Sequence, residues 1–245
     1  MTNRWIVFDA VGTLLVPREP VAVTYQAGGR AHGSRLSVDE VARRFRQVFE
    51  QSECLVFADD GSITPGYATS EESEQRRWQW VVAQVFDDVP QAGRQRLFQH
   101  LWQHYADPAA WIVLPGVAAT LTELARAGYR LAVASNFDAR LEGLLAALPA
   151  LQPIERSVVS SRAGFRKPAP QFYDRLVAVC GGSPGDLCMV GDHLLHDVVA
   201  PRAAGLRAVH LAPAAGTSRP DAAERLTLAE LPRWLRGEFP AEVGR

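Results

Sequence analysis

Five short apolar runs punctuate the chain, each closed by polar or turn residues: WIVFDA at 5–10, RLAVASN at 130–136, ERSVVSS at 155–161, LCMVGD at 187–192 and LRAVHLA at 206–212. None alternates apolar with polar along its length, as a strand with one wet face would. Unbroken Val, Ile and Leu suit strands covered on both faces. Helical patterns lie between the later runs. LTELARAG at 121–128 ends on Gly128, and QFYDRLVAVCGG at 171–182 ends on a glycine pair, the residue that most readily closes a helix. Strands alternating with helices predict an α/β fold built on a parallel, doubly wound sheet.

One segment breaks this rhythm. From 18 to 108 the pattern is helical throughout, with no strand signal. Val38, Val41, Phe45, Val48 and Phe49 keep three-and-four spacing behind Ser37 as N-cap. Trp78, Val81, Val82, Val85 and Phe86 repeat it, as do Leu97, Leu101 and Tyr105. The stretch ADDGSITPGYATS at 58–70 reads as the loop between two of these helices. The expectation is two domains: a core of residues 1–17 and 109–245, and an all-helical insert of residues 18–108. Trp78, Trp80 and Trp102 are expected inside the insert rather than as a stacking platform. LTLAELPRWLRGEF at 226–239 reads as a short helix packed on the core, followed by a tail.

Composition narrows the partners. The 245 residues are 47% hydrophobic and 22% charged, with a formal net charge of -1, so no polybasic face for nucleic acid or anionic membrane is expected. No apolar stretch approaches the roughly 18 residues that span a bilayer. MTNRWIVFDA lacks the long apolar run and small-residue site of a signal peptide, which predicts a cytoplasmic address. Cys54, Cys180 and Cys188 show no CxxC spacing and are expected as buried thiols. Neither GxxxxGK[ST] nor GxGxxG occurs.

In an open parallel sheet, functional groups collect beyond the C-terminal strand ends. Asp9 follows the first run, Ser135 and Asn136 close the second, Lys167 in GFRKPAP comes after the third, and GDHLLHD places Asp192 and Asp197 after the fourth. Three carboxylates crowded together repel unless a cation sits among them, and one lysine does not balance them. A site of carboxylates, a carbonyl and waters suits Mg²⁺, which works beside phosphate. The set therefore reads as a phosphoryl site acting on a small phosphorylated compound. Asp9 is the candidate nucleophile, and Ser135 and Lys167 are candidate catalytic contacts to the phosphate. Asn136, with Gly12 and Thr13 in the turn after Asp9, joins them as candidate substrate contacts.

DAVGT, VASN, RKPAPQFY and VGDHLLHD followed by APRAAGLRAV together resemble the four-motif signature of the haloacid dehalogenase-like hydrolase superfamily. The likeness spans residues 1–16 and 112–212, and the helical block sits where that family carries a helical cap. It implies a Rossmann-like core, a mobile cap and Mg²⁺-dependent phosphate chemistry. Asp9 then matches the nucleophile, Ser135 the second motif, Lys167 the third, and Asp192 with Asp197 the acidic fourth. SNFDARL at 135–141 further resembles one branch of helical-cap members.

The departure is Val11. Phosphatases of this superfamily carry a second Asp there, which protonates the leaving group and then activates water. Valine does neither, although its backbone carbonyl could still serve as the metal ligand that the resemblance implies at this position, beside Asp9, Asp192 and Asp197. A positioned acid/base is worth roughly 10²–10⁴ in rate, a large loss for an alkyl phosphate and a smaller one for an aryl or acyl phosphate. Two alternatives stay open: a metal-independent 2-haloacid dehalogenase, whose halide leaves without a proton, and a non-catalytic metal-binding or regulatory module. Among lesser candidates, His193 and His196 are expected to face solvent, and His100 and His104 lack the Glu of a zinc helix. Arg30 beside Gly28 and Gly29, Arg162 and Arg166 are possible anion contacts whose plainer reading is surface charge.

Overall fold

The computed structural model describes residues 4–211 and 226–241. Its strands are β1 (Trp5–Phe8), β2 (Leu15–Pro17), β3 (Leu55–Phe57), β4 (Ile63–Pro65), β5 (Trp111–Val113), β6 (Arg130–Ser135), β7 (Arg156–Val159), β8 (Leu187–Gly191) and β9 (Arg207–His210). The five that coincide with the apolar runs form one all-parallel sheet in the order β7-β6-β1-β8-β9. β1 lies at its centre. Ile6 and Phe8 enter one buried layer and Trp5 and Val7 the other, which is why the run shows no alternation.

The helices Val117–Arg126, Arg140–Ala147 and Leu231–Glu238 cover the Ile6 face through Val117, Leu121, Leu144, Leu231 and Leu235. The helix Pro170–Cys180 covers the other through Phe172, Tyr173 and Leu176. Gly181 closes that helix at φ 77°, a left-handed value that glycine adopts without strain. The C-terminal helix is where the sequence predicts it; the tail expected after it, 242–245, lies outside the described residues.

Residues 18–108 hold four helices, Val21–Ala31, Val38–Ser52, Glu71–Val85 and Gln91–His104. They bury their own cluster, including Tyr25, Val41, Val48, Val82, Phe86 and Leu97. The Ser37 side chain caps the second helix by accepting from the Glu40 amide at 3.2 Å. Gly28 and Gly29 form a packing notch rather than an anion cradle. A Cβ on Gly28 would sit 2.9 Å from Leu97 Cδ1 and one on Gly29 would run into the Phe86 ring, while Arg30 beside them is exposed.

One small sheet corrects the expectation of a strand-free insert, and a second lies just outside residues 18–108. β3 and β4 pair antiparallel around Asp60–Gly61, with Gly61 at φ 83°, a turn dipeptide typical of hairpins. β2 and β5 pair antiparallel where the chain leaves the sheet region and returns to it. Strands of three residues are too short to show a period of two. Among the described residues, no helix is long and apolar enough to cross a membrane.

Candidate active site

Phe8 pairs with Val133 on one side and Val190 on the other, so Asp9, Ser135 and Asp192 emerge side by side from three adjacent strand ends. The Asp9 amide donates to the Val190 carbonyl at 2.9 Å, which fixes where its carboxylate starts. Oxygens of Asp9, Asp192 and Asp197 lie within 4.8 Å of one another. Lys167 is fully buried among them. Its Nζ donates to Asp9 Oδ1 at 2.9 Å and to Asp197 Oδ1 at 2.8 Å.

Each of these groups is braced from behind. The Asn136 side chain clasps Lys167 through its main chain. Asn136 Nδ2 donates to the Lys167 carbonyl at 3.0 Å, and Asn136 Oδ1 accepts from the Lys167 amide at 2.7 Å. Thr13 and Gly12, expected as substrate contacts, are committed elsewhere. Thr13 Oγ1 donates to Asp192 Oδ1 at 3.0 Å, and the Gly12 amide donates to the Leu15 carbonyl at 2.9 Å. Asp197 lies on a wide π-helical turn, Leu194–Val199, a form found often at functional sites. There its Oδ2 accepts from the His193 amide at 3.0 Å. Gly191 makes this approach possible, because a Cβ on it would occupy the space of the Asp197 carboxylate.

The charges do not balance. Burial, offset in part by Lys167 and reinforced by Asp197, pushes the Asp9 carboxyl up to about 7. Burial opposes the Lys167 ammonium too, but Asp197 and Asp9 outweigh it and hold its pKa above the ordinary lysine value. A site with this surplus of carboxylate fits a hard divalent cation. Asp9, Asp192 and Asp197 each offer such a cation a carboxylate oxygen. Both Asp197 oxygens are already engaged by Lys167 and the His193 amide.

Above the strand ends is a cavity of about 340 Å³, with Asp9, Val11, Ser135, Asn136, Lys167, Asp192 and Asp197 at its floor. Val11 is 37% exposed. His193 and His196 also line it, half-buried rather than fully facing solvent, and their rings stack at 3.9 Å between centroids. Burial, then the neighbouring His193, pushes His196 down to about 4. Trp78 and Trp102 face the same space as well as packing within the helical block, whereas Trp80 packs on Phe57.

The other candidates lie elsewhere. Arg162 pairs with Glu142 at 3.1 Å, and His100 is exposed. Cys54 is also exposed, unlike the buried Cys180 and Cys188, because it follows the end of its helix.

Sequence reasoning missed the contacts between the helical block and the sheet region. Arg140 donates to both Asp138 oxygens at 2.8 Å and to the Trp102 carbonyl at 3.1 Å. Glu71 accepts from the Ala139 amide at 3.0 Å and from Ser161 Oγ at 2.5 Å. Arg166 is buried, not surface charge. It reaches the Ser52 and Leu55 carbonyls and lies 3.6 Å from Glu74, which pairs with Arg77 at 3.0 Å.

A model of the haloacid dehalogenase-like hydrolase family matches residues 4–205. The haloacid dehalogenase-like hydrolase domain-containing protein 3 of Homo sapiens is 33% identical over 208 residues, 83% of this chain and 79% of that one. A phosphoglycolate phosphatase of Mesorhizobium japonicum is 30% identical over 121 residues, 48% of this chain and 53% of its own. Among solved structures, a defluorinating L-2-haloacid dehalogenase superposes with a TM-score of 0.70 at 18% identity, covering 95% of each chain, a likeness of fold.

Proposed function

Because the chain belongs to the haloacid dehalogenase-like hydrolase family, we propose that it is a Mg²⁺-dependent phosphatase of small phosphorylated compounds, working through an aspartyl-phosphate on Asp9. The observation that carries this reading is the grouping of Asp9, Asp192 and Asp197 within 4.8 Å around the doubly paired Lys167. Asp9, Asp192 and the Val11 carbonyl would hold the metal, with Asp197 as the fourth member of the set, acting chiefly on Lys167. When bound, Mg²⁺ supplies positive charge to the attacking carboxylate and the phosphoryl oxygens.

The chain's own residues then divide the work. Asp9 attacks phosphorus, and the bond to the leaving oxygen breaks. Lys167 and the Ser135 hydroxyl offset charge on the phosphoryl oxygens. Water next attacks phosphorus, releasing phosphate and restoring Asp9. Residues 18–108 act as the cap, closing the cavity and limiting access of bulk water.

Val11 favours leaving groups that depart as stable anions. It is equally compatible with dehalogenation, but a 2-haloacid brings its own carboxylate. Without a metal, that fourth negative group would enter a floor that already holds three beside one lysine, whereas a phosphate would also meet the bound Mg²⁺.

The deciding experiment is hydrolysis of an aryl phosphate with and without Mg²⁺, in wild type and Asp9→Asn. Metal-dependent turnover lost in the variant supports the reading. No turnover by folded protein defeats it, and 2-chloropropionate then tests dehalogenation.

A further inference from the structure

On the phosphatase reading above, we propose that the substrate is an aryl phosphate, a phosphate monoester of a phenol whose ring system lies against the aromatic wall of the cap. Three features of the cavity lead there.

The first is its division into two chemistries. The floor is carboxylate, ammonium, hydroxyl and imidazole. The cap wall is built by Phe45, Phe49, Trp78, Phe98, Trp102 and Tyr105. Phe45 stacks on Phe49 at 5.6 Å, and Phe49 meets Trp78 at 5.8 Å, so these rings form a continuous surface. Phe45, Phe49, Trp78, Trp102 and Tyr105 are only half-buried. Aromatic area of this kind facing a cavity is the usual lining of a site for an apolar ligand. The volume of about 340 Å³ is more than twice the ~150 Å³ that accepts a benzene. Phosphate at the floor therefore leaves room for a ring.

The second feature is that, among the described lining residues, that wall offers no uncommitted cation to another anion. Among the described lining residues contributed by the cap, Glu53 is the charged one. Arg140 reaches the cavity edge, but its guanidinium is committed to Asp138 and the Trp102 carbonyl. A phosphorylated acid such as phosphoglycolate would place its carboxylate among rings and near Glu53. An aromatic group would not meet that cost.

The third is Val11, which puts hydrocarbon where a proton donor would otherwise stand. With a phenol as leaving group the step balances without it. Asp9 Oδ bonds to phosphorus, the P–O(aryl) bond breaks, and phenolate leaves with the electron pair to be protonated by water. Water then attacks phosphorus, the P–O(Asp9) bond breaks with its electron pair returning to the carboxylate, and the water's proton leaves with the released phosphate. Wall and floor select the same compound: a ring to bury, and an oxygen that departs unaided.

The test compares kcat/KM with Mg²⁺ for 2-naphthyl phosphate, acetyl phosphate and 2-phosphoglycolate in wild type and Asp9→Asn. Acetyl phosphate shares the good leaving group and lacks the ring. We expect 2-naphthyl phosphate to lead it by at least about tenfold and phosphoglycolate by more. Asp9-dependent turnover in which either small compound equals the naphthyl ester overturns the proposal and leaves the phosphatase reading standing. Absence of Asp9-dependent turnover for all three defeats the phosphatase reading instead. Calorimetry then judges the pocket: 2-naphthyl phosphate binding more tightly than inorganic phosphate upholds aromatic recognition, and equal or no binding overturns it. In Phe49→Ala, the naphthyl-to-acetyl ratio should fall by up to about tenfold, with part restored in Phe49→Leu. An unchanged ratio in a variant that melts as a folded protein overturns the assignment of the wall.

Discussion

Asn136 and Lys167 hold each other through two hydrogen bonds, one in each direction, at 3.0 and 2.7 Å. The bonds run from the Asn136 side chain to the Lys167 main chain, so Asn136 sets where the lysine begins, and the two carboxylates set where it ends. Asn136→Ala should lower kcat by roughly 10²-fold, the scale of a misplaced catalytic group. If Asp9 and Asp192 hold Mg²⁺ as proposed, adding the metal should raise the melting temperature, and that rise should persist in the variant because it reports those carboxylates rather than Lys167. Steady-state kinetics beside a thermal melt checks both. An unchanged kcat would mean that Asp9 and Asp197 suffice to place the ammonium.

Gly191 offers a sharper probe of the same cluster. Its missing side chain is the space the Asp197 carboxylate occupies, and that carboxylate is pinned by Lys167 and the His193 amide. Gly191→Ala should therefore destabilise by about 1–3 kcal/mol, as overpacking of a rigid site does, and remove activity together with stability. Urea unfolding measures the first and turnover at a temperature where the variant is folded measures the second. Retention of both would show that the β8 end shifts freely.

The five sheet strands were legible because each is buried on both faces, and an unbroken apolar run such as WIVFDA has few other uses. The order of Asp9, Ser135, Lys167 and the two later aspartates was legible for a related reason. A parallel sheet sends all its strand ends to one edge, so the residues just past each strand together make the floor of the site. The short pairs β2–β5 and β3–β4 were hidden by their length. The roles of Thr13, Gly12 and Asn136 were hidden differently. Their residue types announce contact with something polar, but only the fold shows that the partner is Asp192, the Leu15 carbonyl or the Lys167 main chain. The aromatic wall of the helical block was hidden most deeply, because an aromatic residue at helical spacing has the same pattern whether it fills a core or faces a ligand.

The buried triad of Glu74, Arg77 and Arg166 ties the helical insert to the loop that carries Lys167. Burial disfavours the Glu74 anion, but Arg77 and Arg166 outweigh it and hold its carboxyl below the ordinary value. A folded-state pKa below the unfolded one means that the unfolded chain binds more protons. This stabilisation is present above the unfolded value of about 4.5 and is lost as pH falls below it toward the folded value. Glu74→Gln should flatten the acid limb of a stability-against-pH profile. It should also cost about 3–5 kcal/mol near neutrality by leaving two guanidiniums buried without their counter-ion. Denaturant unfolding from pH 3 to 7 checks this, and an acid limb equal to that of wild type would remove Glu74 as its source.

Val11→Asp tests the chemistry from the other direction, by restoring what the sequence lacks. Val11 is 37% exposed and borders the cavity, so a carboxylate there is partly solvated; it adds a fourth negative group to the floor, and the variant is therefore assayed with Mg²⁺ present. Its carbonyl is a main-chain group and is kept by the substitution. A proton donor at this position should help most where the leaving oxygen is most basic. The gain for an alkyl phosphate should reach up to the ~10²–10⁴ of a positioned acid, while the aryl ester gains much less. The aryl-to-alkyl ratio of kcat/KM should accordingly collapse. If both esters gain equally, the new carboxylate acts on the water-attack step rather than on the leaving group. If neither gains and the variant is folded, the leaving-group proton is not what limits this site, and the reading of Val11 as a missing acid fails.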